Sequence, residues 1–598
     1  VTDEKGTWKR YRRLNFSSKA LSRRAKRAET KTTKHAHKFV ITKLDSLRSA
    51  KQHIVTWLAI MVFLIVAVGV QMFWFQKAYR ADAWSEGGTY AEAVQGPIDT
   101  LNPLYATTDA ELSAGRLLFS SLYRYDKTGH LVNDLASKTI RSANGRTYTI
   151  AIREDGIWSD GKKVTAHDIV FTVDLMKNPE IRSPLQASWA DIQATAIDDT
   201  TVVFELPSSY AAFPHALTFA ILPKHVLESV PAGAMRQNTF SVSPVGSGPF
   251  TLRLLQLASD GRHKIANMSG SKNYYLGAPR VNRFELHAFD QKDDLLRSLR
   301  TGEVSAAVDI DVRSPLITKK FTVETYPVNS GVYALFNTRS LVLKDKNLRR
   351  ALQLGTDITK VKDQAGPSVP RLDLPFVNSQ LTGAETLRPQ KYNVAKAQRL
   401  LDKEGWKLRA GSKIRTNKQK APLQLHVVTV NDSVYERVLN ELARQWTALG
   451  IEVQTESVDP NATNRNFVQT VLQPRDYDVL VYELVIGADP DVYAYWHSSQ
   501  ATRLGYNFAN YSSAFSDDAL TSARSRSEAD LRNEKYKAFA QQWLDDVPAI
   551  GLYQSVMGYA HRPSVQPYIS DVSIPSVSER FSDILYWSAE QSQVYKTP

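Results

Sequence analysis

Ile54 to Phe75 is a run of 22 residues without a charged side chain, "IVTWLAIMVFLIVAVGVQMFWF", and it constrains this chain more than any other stretch. At about 1.5 Å per residue it makes roughly 33 Å of helix, enough to cross a hydrocarbon core of about 30 Å. Trp57 and Trp74 stand near its two ends, where amphipathic rings favour the membrane interface. The flank before it is strongly basic, whereas Lys77, Arg80, Asp82 and Glu86 mix both signs after it. The excess of positive charge on one side places residues 1–53 in the cytoplasm and the body outside, in a single-pass cell-membrane protein. A cleaved signal peptide has a shorter apolar core, about 7–15 residues, followed by small residues. "FWFQKAYRADA" offers only a weak site of that kind, so the run at 54–75 reads as an uncleaved anchor rather than a leader or a buried globular helix.

Charge follows the same division. Residues 1–52 carry 16 Lys/Arg and 4 Asp/Glu, a net of +12 out of +14, so the other 546 residues are nearly neutral. The basicity belongs to a tail, and the body loses the main argument for a specific nucleic-acid partner. The tail reads as a solvated segment, with contact to anionic inner-leaflet lipid as the sharper alternative. "HAH" at 35–37 is too short and isolated to mark a metal site. The sequence contains no cysteine, which excludes disulfides, thiolate zinc sites, a cysteine nucleophile and a lipid-modified cysteine within it. Its 598 residues exceed what one hydrophobic core organises, so two or more domains or a large bilobal body are expected.

Beyond the anchor, strand and helix patterns alternate without repeats or long linkers. "RTYTIAIRED" alternates like a half-buried strand, and Asp160-Gly161 in "WSDGK" supplies a turn. "VTAHDIVFTVDLM" begins a helix with Thr165 as N-cap and Asp168 three residues on. In 423–458, strand "LQLHVVTV", helix "SVYERVLNELARQWTALG" and strand "IEVQTESV" form a βαβ unit, hence parallel pairing and an α/β lobe. "RDYDVLVYELV" reads as a further strand whose end meets the lobe's rim, where open α/β sheets bind ligands.

No catalytic or cofactor constellation stands out. HExxH and GxxxxGK[ST] are missing, and "VGSGPF" is not a GxSxG elbow. Asp489 and Asp491 flank Pro490 without the further ligand spacing of a calcium loop, and acids beside proline serve turns and caps. The sequence thus points to neither an enzyme, a metal site nor a cofactor.

Several segments, in order, resemble the extracytoplasmic solute-binding proteins of peptide-type ABC importers, the group of the dipeptide- and oligopeptide-binding proteins. They are "GGTYAEAVQGPIDTLNPLYATTDAE", "LYRYD", "DLASKTIRSANGRTYTIAIREDGIWSDGKKVTAHDIVFTVD", "FAILPKHVL", "SPVGSGPFTL" and "NYYLGAPRVNRFEL". "ALFNTRS", "KNLRRALQLGTDITKV", "YNVAKAQRLLDKEGW", "ALGIEVQ", "RDYDVLVYE" with "ADPD", and "RNEKYKAFAQQWLDDVPAIGLY" follow. The resemblance runs from about Gly87 to Leu552. It implies an α/β, bilobal type II periplasmic-binding-protein-like fold with hinge strands. The first lobe would take 84–327 plus 549–598 and the second 328–548. Such proteins do no covalent chemistry. They close over a solute and present it to a permease driven by an ATPase.

Within this resemblance, Trp158, Asp160, Gly161 and Asp168 read as a turn and a capped helix, and Gly246, Gly248 and Pro249 as a backbone turn. Thr107, Thr108 and Asp109 follow the Leu-Asn-Pro turn, where members of the family contact ligand. Peptide binders end the last strand in Gly-Trp and pair a nearby aspartate with the peptide α-amino group. Here Glu483-Leu484 stands at the first position, and Ile486 or Gly487 at the second. The amine anchor is therefore not carried over. Glu483 or Asp489 replaces it, or the ligand lacks such a cation. Together with Leu484, Ile486 and Trp496 these are the expected cleft residues. A peptide is the first expectation for the solute. A sugar or nickel chelate on the same scaffold is the alternative, followed by a tethered sensor without transport.

Overall fold

The structure is a computed structural model. It describes residues 26, 30, 34 and 44–595, except 260, 262, 312–319, 367, 378, 461–465 and 570–571. Most of the basic tail, including "HAH", lies outside the described residues. The chain divides into two units, one formed by 1–83 with 593–598 and the other by 84–592. In the first, Leu44–Tyr79 is one helix, longer than the apolar run it contains. His53–Phe75 is long and apolar enough to cross a membrane, and its apolar window is not buried.

The second unit is built on a ten-stranded sheet. Its order is Glu452–Val458, Gln424–Val430, Val479–Val485, Thr322–Phe336, Ala549–His561, Ala306–Val308, Thr89–Gln95, Arg283–Phe289, His263–Gly270 and Phe250–Leu257. The expected βαβ unit is present. Strands 424–430 and 452–458 run parallel around helix Ser433–Thr447, and Gly450 takes the left-handed φ of +88° beyond it. Strand 479–485 adds parallel on the other side of 424–430 and pairs antiparallel with Thr322–Phe336.

The two longest strands, Thr322–Phe336 and Ala549–His561, run antiparallel through the middle of the sheet. Their register breaks between Pro327 and Gly331 and again between Val332 and Tyr333. The hydrophobic core changes at the same place. One cluster gathers residues from Tyr90 to Val328 and from Met557 to Trp587. Two others gather residues from Val332 to Tyr553. Proline at 327 cannot donate to the ladder, so the interruption falls where one cluster gives way to the next.

A four-stranded antiparallel sheet, Ala136–Arg141, Thr147–Ile152, Thr201–Glu205 and Gln193–Asp198, flanks the first core. Strand 147–152 alternates half-buried and buried side chains along its length, as its sequence predicts. The Trp158 N–H donates to Lys162 O and the Gly161 N–H to Trp158 O, closing the turn at Asp160-Gly161, with Gly161 at φ +90°. The Asp168 carboxylate accepts the Thr165 N–H at 2.8 Å and the Lys224 N–H at 2.8 Å, so one side chain caps helix Ala166–Lys177 and fixes a second segment. Gly246 and Gly248 serve close approach. A Cβ on Gly246 would lie 2.0 Å from Leu118 O, and one on Gly248 2.6 Å from Leu118 C. Both positions have ordinary negative φ, so packing against the end of helix Asp109–Leu118 is what requires glycine. Pro249 follows them and leads into strand Phe250–Leu257.

At the centre of the first core, Glu92 and Arg580 form an ion pair that is wholly buried. Tyr559 donates to Glu92 Oε2 at 2.6 Å, Arg580 Nη1 donates to Ser113 Oγ at 2.9 Å, and the Tyr90 and Tyr559 hydroxyls lie 2.8 Å apart. The pair joins residues 488 positions apart in sequence and pins the C-terminal segment to the first strand of the body.

Candidate functional site

Where the two groups of core residues meet, a cavity of about 340 Å³ opens beside the central strands. Small-ligand sites commonly hold about 300–1,000 Å³. Asp109 and Asp309 line it from segments that build the first core, Lys292 and Asp311 from beside a small separate cluster around Leu295, Leu299 and Ile310, and Asp432, Tyr435 and Glu483 from segments of the clusters beyond Val332. Val328, Val332, Tyr553 and residues 555–558 line it from the central strands.

Local structure places each acid. Asp109 opens helix Asp109–Leu118, next to Thr108, whose hydroxyl accepts the Glu111 N–H as N-cap. Asp432 is the N-cap of helix Ser433–Thr447 and accepts the Val434 N–H at 2.7 Å. Asp309 follows the short strand Ala306–Val308 in the left-handed region, φ +59°, which aspartate tolerates better than most residues. Glu483 points from strand Val479–Val485 into the cavity. It accepts hydrogen bonds from Ser330 Oγ and, at 2.9 Å, from the Tyr435 hydroxyl. The strand's exit is anchored at the register break, since the N–H groups of Ile486 and Gly487 both donate to Asn329 O at 2.9 Å.

The cavity is therefore acidic. Five carboxylates face it against one lysine, and Arg437 adds a guanidinium 3.3 Å from Asp311. Removal from water pushes the Asp309 carboxyl above its usual range, Lys292 offsets this, and Glu483, Asp432 and Asp311 push it further up. Asp109 rises for the same first reason, then from Asp309, with Arg580 opposing. The Tyr435 and Tyr553 phenols are pushed well above theirs by burial and by the Glu483 charge. The buried Tyr553 hydroxyl has no hydrogen-bond partner among the described residues. Crowded carboxylates beside a hydroxyl without a partner among the described residues give the cavity a chemistry that suits a positively charged group.

Of the residues expected from sequence at the cleft, the structure brings Asp109 and Glu483 together there. Thr107 and Thr108 stay at the helix entrance, their N–H groups on Glu111 Oε2 at 2.9 and 3.3 Å. Leu484, Ile486 and Trp496 are packed in the second core, Trp496 edge-on to Tyr333 and Trp543. Asp489 is occupied elsewhere, 2.7 Å from the Arg532 guanidinium, and Asp491 lies 3.1 Å from Arg524. Asp491 also accepts the Tyr493 N–H at 3.3 Å, the turn contact expected of an acid beside Pro490, and both acids pair in addition with arginines of later helices. Asp309, Asp311, Asp432, Tyr435, Tyr553 and Lys292 were not singled out in the sequence. Only Asp432 carried a local signal, as an acid at a helix start.

The model of bacterial extracellular solute-binding proteins, family 5 middle, matches residues 130–505. The chain belongs to this family. The oligopeptide-binding protein AppA of Bacillus subtilis strain 168 is 25% identical over 504 residues, 81% of this chain and 91% of that protein. The solved structure of AppA from Bacillus subtilis in complex with a nonapeptide superposes with a TM-score of 0.69 at 23% identity, covering 85% of this chain and 100% of that one. NikZ from Campylobacter jejuni in complex with Ni(L-His) gives 0.69 at 24% identity, covering 84% and 99%. The fold is thus the bilobal type II periplasmic-binding architecture, and the chain is a family 5 solute-binding protein of the ABC-importer type.

Proposed function

We propose that this protein captures peptides in the acidic cleft and that Glu483 takes the role of amine anchor. The observation that carries the reading is the Glu483 carboxylate, held by Ser330 and Tyr435 at a cavity with excess negative charge and an unpartnered tyrosine hydroxyl. An α-ammonium group supplies the missing positive charge, and Lys292, which lines the same cavity, suits a carboxylate of the same ligand. Asp489 is the weaker candidate, because its carboxylate is already paired with Arg532 at 2.7 Å.

In this reading 84–327 with 549–598 forms one lobe and 328–548 the other. The register break at 327–331 serves as the hinge. The helix that contains 54–75 tethers the body outside the membrane, with the tail in the cytoplasm. The loaded body delivers its peptide to a permease powered by an ATPase. We test the ligand by denaturing the full-length protein, purified in detergent, and analysing what it releases by mass spectrometry. Peptides are expected. A sugar, a nickel chelate or an empty cleft overturns the assignment.

A further inference from the structure

Three side chains with metal-binding atoms meet outside the cleft: His263, His287 and Glu303. Strands His263–Gly270 and Arg283–Phe289 pair antiparallel, with His263 opposite Phe289 and Ile265 opposite His287. The two imidazoles are therefore diagonal neighbours on one face of the sheet. Glu303 reaches that face because helix Lys292–Thr301 ends at Gly302, whose left-handed φ of +87° turns the chain back. His263 Nε2 lies 3.1 Å from His287 Nδ1 and 3.3 Å from Glu303 Oε1. Both histidines are buried, while the Glu303 side chain is 41% exposed.

A tetrahedral ion with ligands at about 2.0–2.1 Å spaces its ligand atoms about 3.3–3.4 Å apart. These two edges are close to that spacing, and the donor atoms of all three residues lie within 4.8 Å of one another. The surroundings also have the form of a metal site. His287 Nε2, the nitrogen not aimed at the cluster, makes no hydrogen bond among the described residues but has the Glu285 carboxylate 3.6 Å away, placed to become the orienting partner of a ligating imidazole after a small side-chain shift. Phe289 stacks on the His263 ring with centroids 4.1 Å apart and holds it in place. A shared proton between the imidazoles accounts for their 3.1 Å separation but gives no role to Glu303 or Glu285.

We propose that His263 Nε2, His287 Nδ1 and the Glu303 carboxylate bind a divalent ion of the Zn²⁺ class, with water at the exposed fourth position. Two imidazoles and one carboxylate favour such an ion over Mg²⁺ or Ca²⁺, which take oxygen ligands. The ion ties two strands to the end of helix Lys292–Thr301, the helix whose first residue lines the cleft. The site is independent of which solute the cleft holds.

The experiment titrates the metal-stripped full-length protein, in detergent, with Zn²⁺ against a chromophoric chelator. Excess Zn²⁺ adheres weakly to exposed histidines of any protein, so the site is counted by difference between variants. Wild type is expected to take up one more equivalent than Glu303→Gln or His287→Gln, and its Tm to rise with Zn²⁺ where theirs does not. Glu285→Gln keeps the equivalent but binds it about 10–100-fold more weakly. Glu303 is exposed enough that its substitution spares the fold, which equal metal-free Tm values verify. Equal stoichiometry in wild type and Glu303→Gln overturns the proposal and assigns the binding to surface histidines.

Discussion

Replacing Glu483 by glutamine isolates the proposed amine anchor. The substitution keeps the side chain's size and one acceptor oxygen but removes the negative charge. It also places an NH₂ donor toward the Ser330 hydroxyl, the Tyr435 hydroxyl or the ligand. Hydrogen bonds to a charged partner are worth about 1.5–3 kcal/mol, or roughly 10–150-fold in Kd. Asp109, Asp309 and Asp432 keep the cavity acidic, so the loss is expected near the lower end, about tenfold. Isothermal titration of the full-length protein with a peptide recovered from it, and with the N-acetylated form of that peptide, completes a cycle. Acetylation removes the ligand's positive charge. If Glu483 holds the ammonium group, acetylation weakens binding to wild type markedly and to Glu483→Gln much less. An equal acetylation penalty in both proteins refutes the anchor, because coupling between the two groups is what the cycle measures.

Other expectations follow from the same structure. The raised Asp309 and Asp109 pKa values make binding of a cationic peptide release protons, so affinity should fall as pH drops through their raised pKa values toward the ordinary aspartate range. The sign reverses for the empty protein, since these carboxyls favour the folded state only when protonated. Asp309→Asn should flatten the affinity profile, measured by titration in two buffers of different ionisation enthalpy. Arg580→Met should cost about 3–5 kcal/mol of stability by leaving Glu92 buried without its cation, and a matching denaturant midpoint shift checks it. Gly248→Ala should destabilise by about 1–3 kcal/mol, read from thermal unfolding, because its Cβ meets the Leu118 and Phe119 backbone. Protease digestion of intact cells should spare the tail and remove the body if the proposed topology holds.

The sequence by itself determined the elements. The apolar run at 54–75, the alternation of strand 147–152, the Thr165–Asp168 helix start and the βαβ unit of 423–458 are all local patterns, and each appears where its pattern lies. Their physical basis is short-range: periodicity, capping and turn conformation act within a few residues. The ordered motifs also carried the family, and through it the fold. Tertiary structure decided which acids serve the cleft. Asp489 looked as available as Glu483 in sequence, but Arg532, 43 residues away, claims it. Asp109, Asp309, Asp432 and Glu483 come from separate segments and share a cavity only because the two central strands bring the segments together. The charge of a site is a sum over long-range neighbours, and no local stretch of this chain contains that sum.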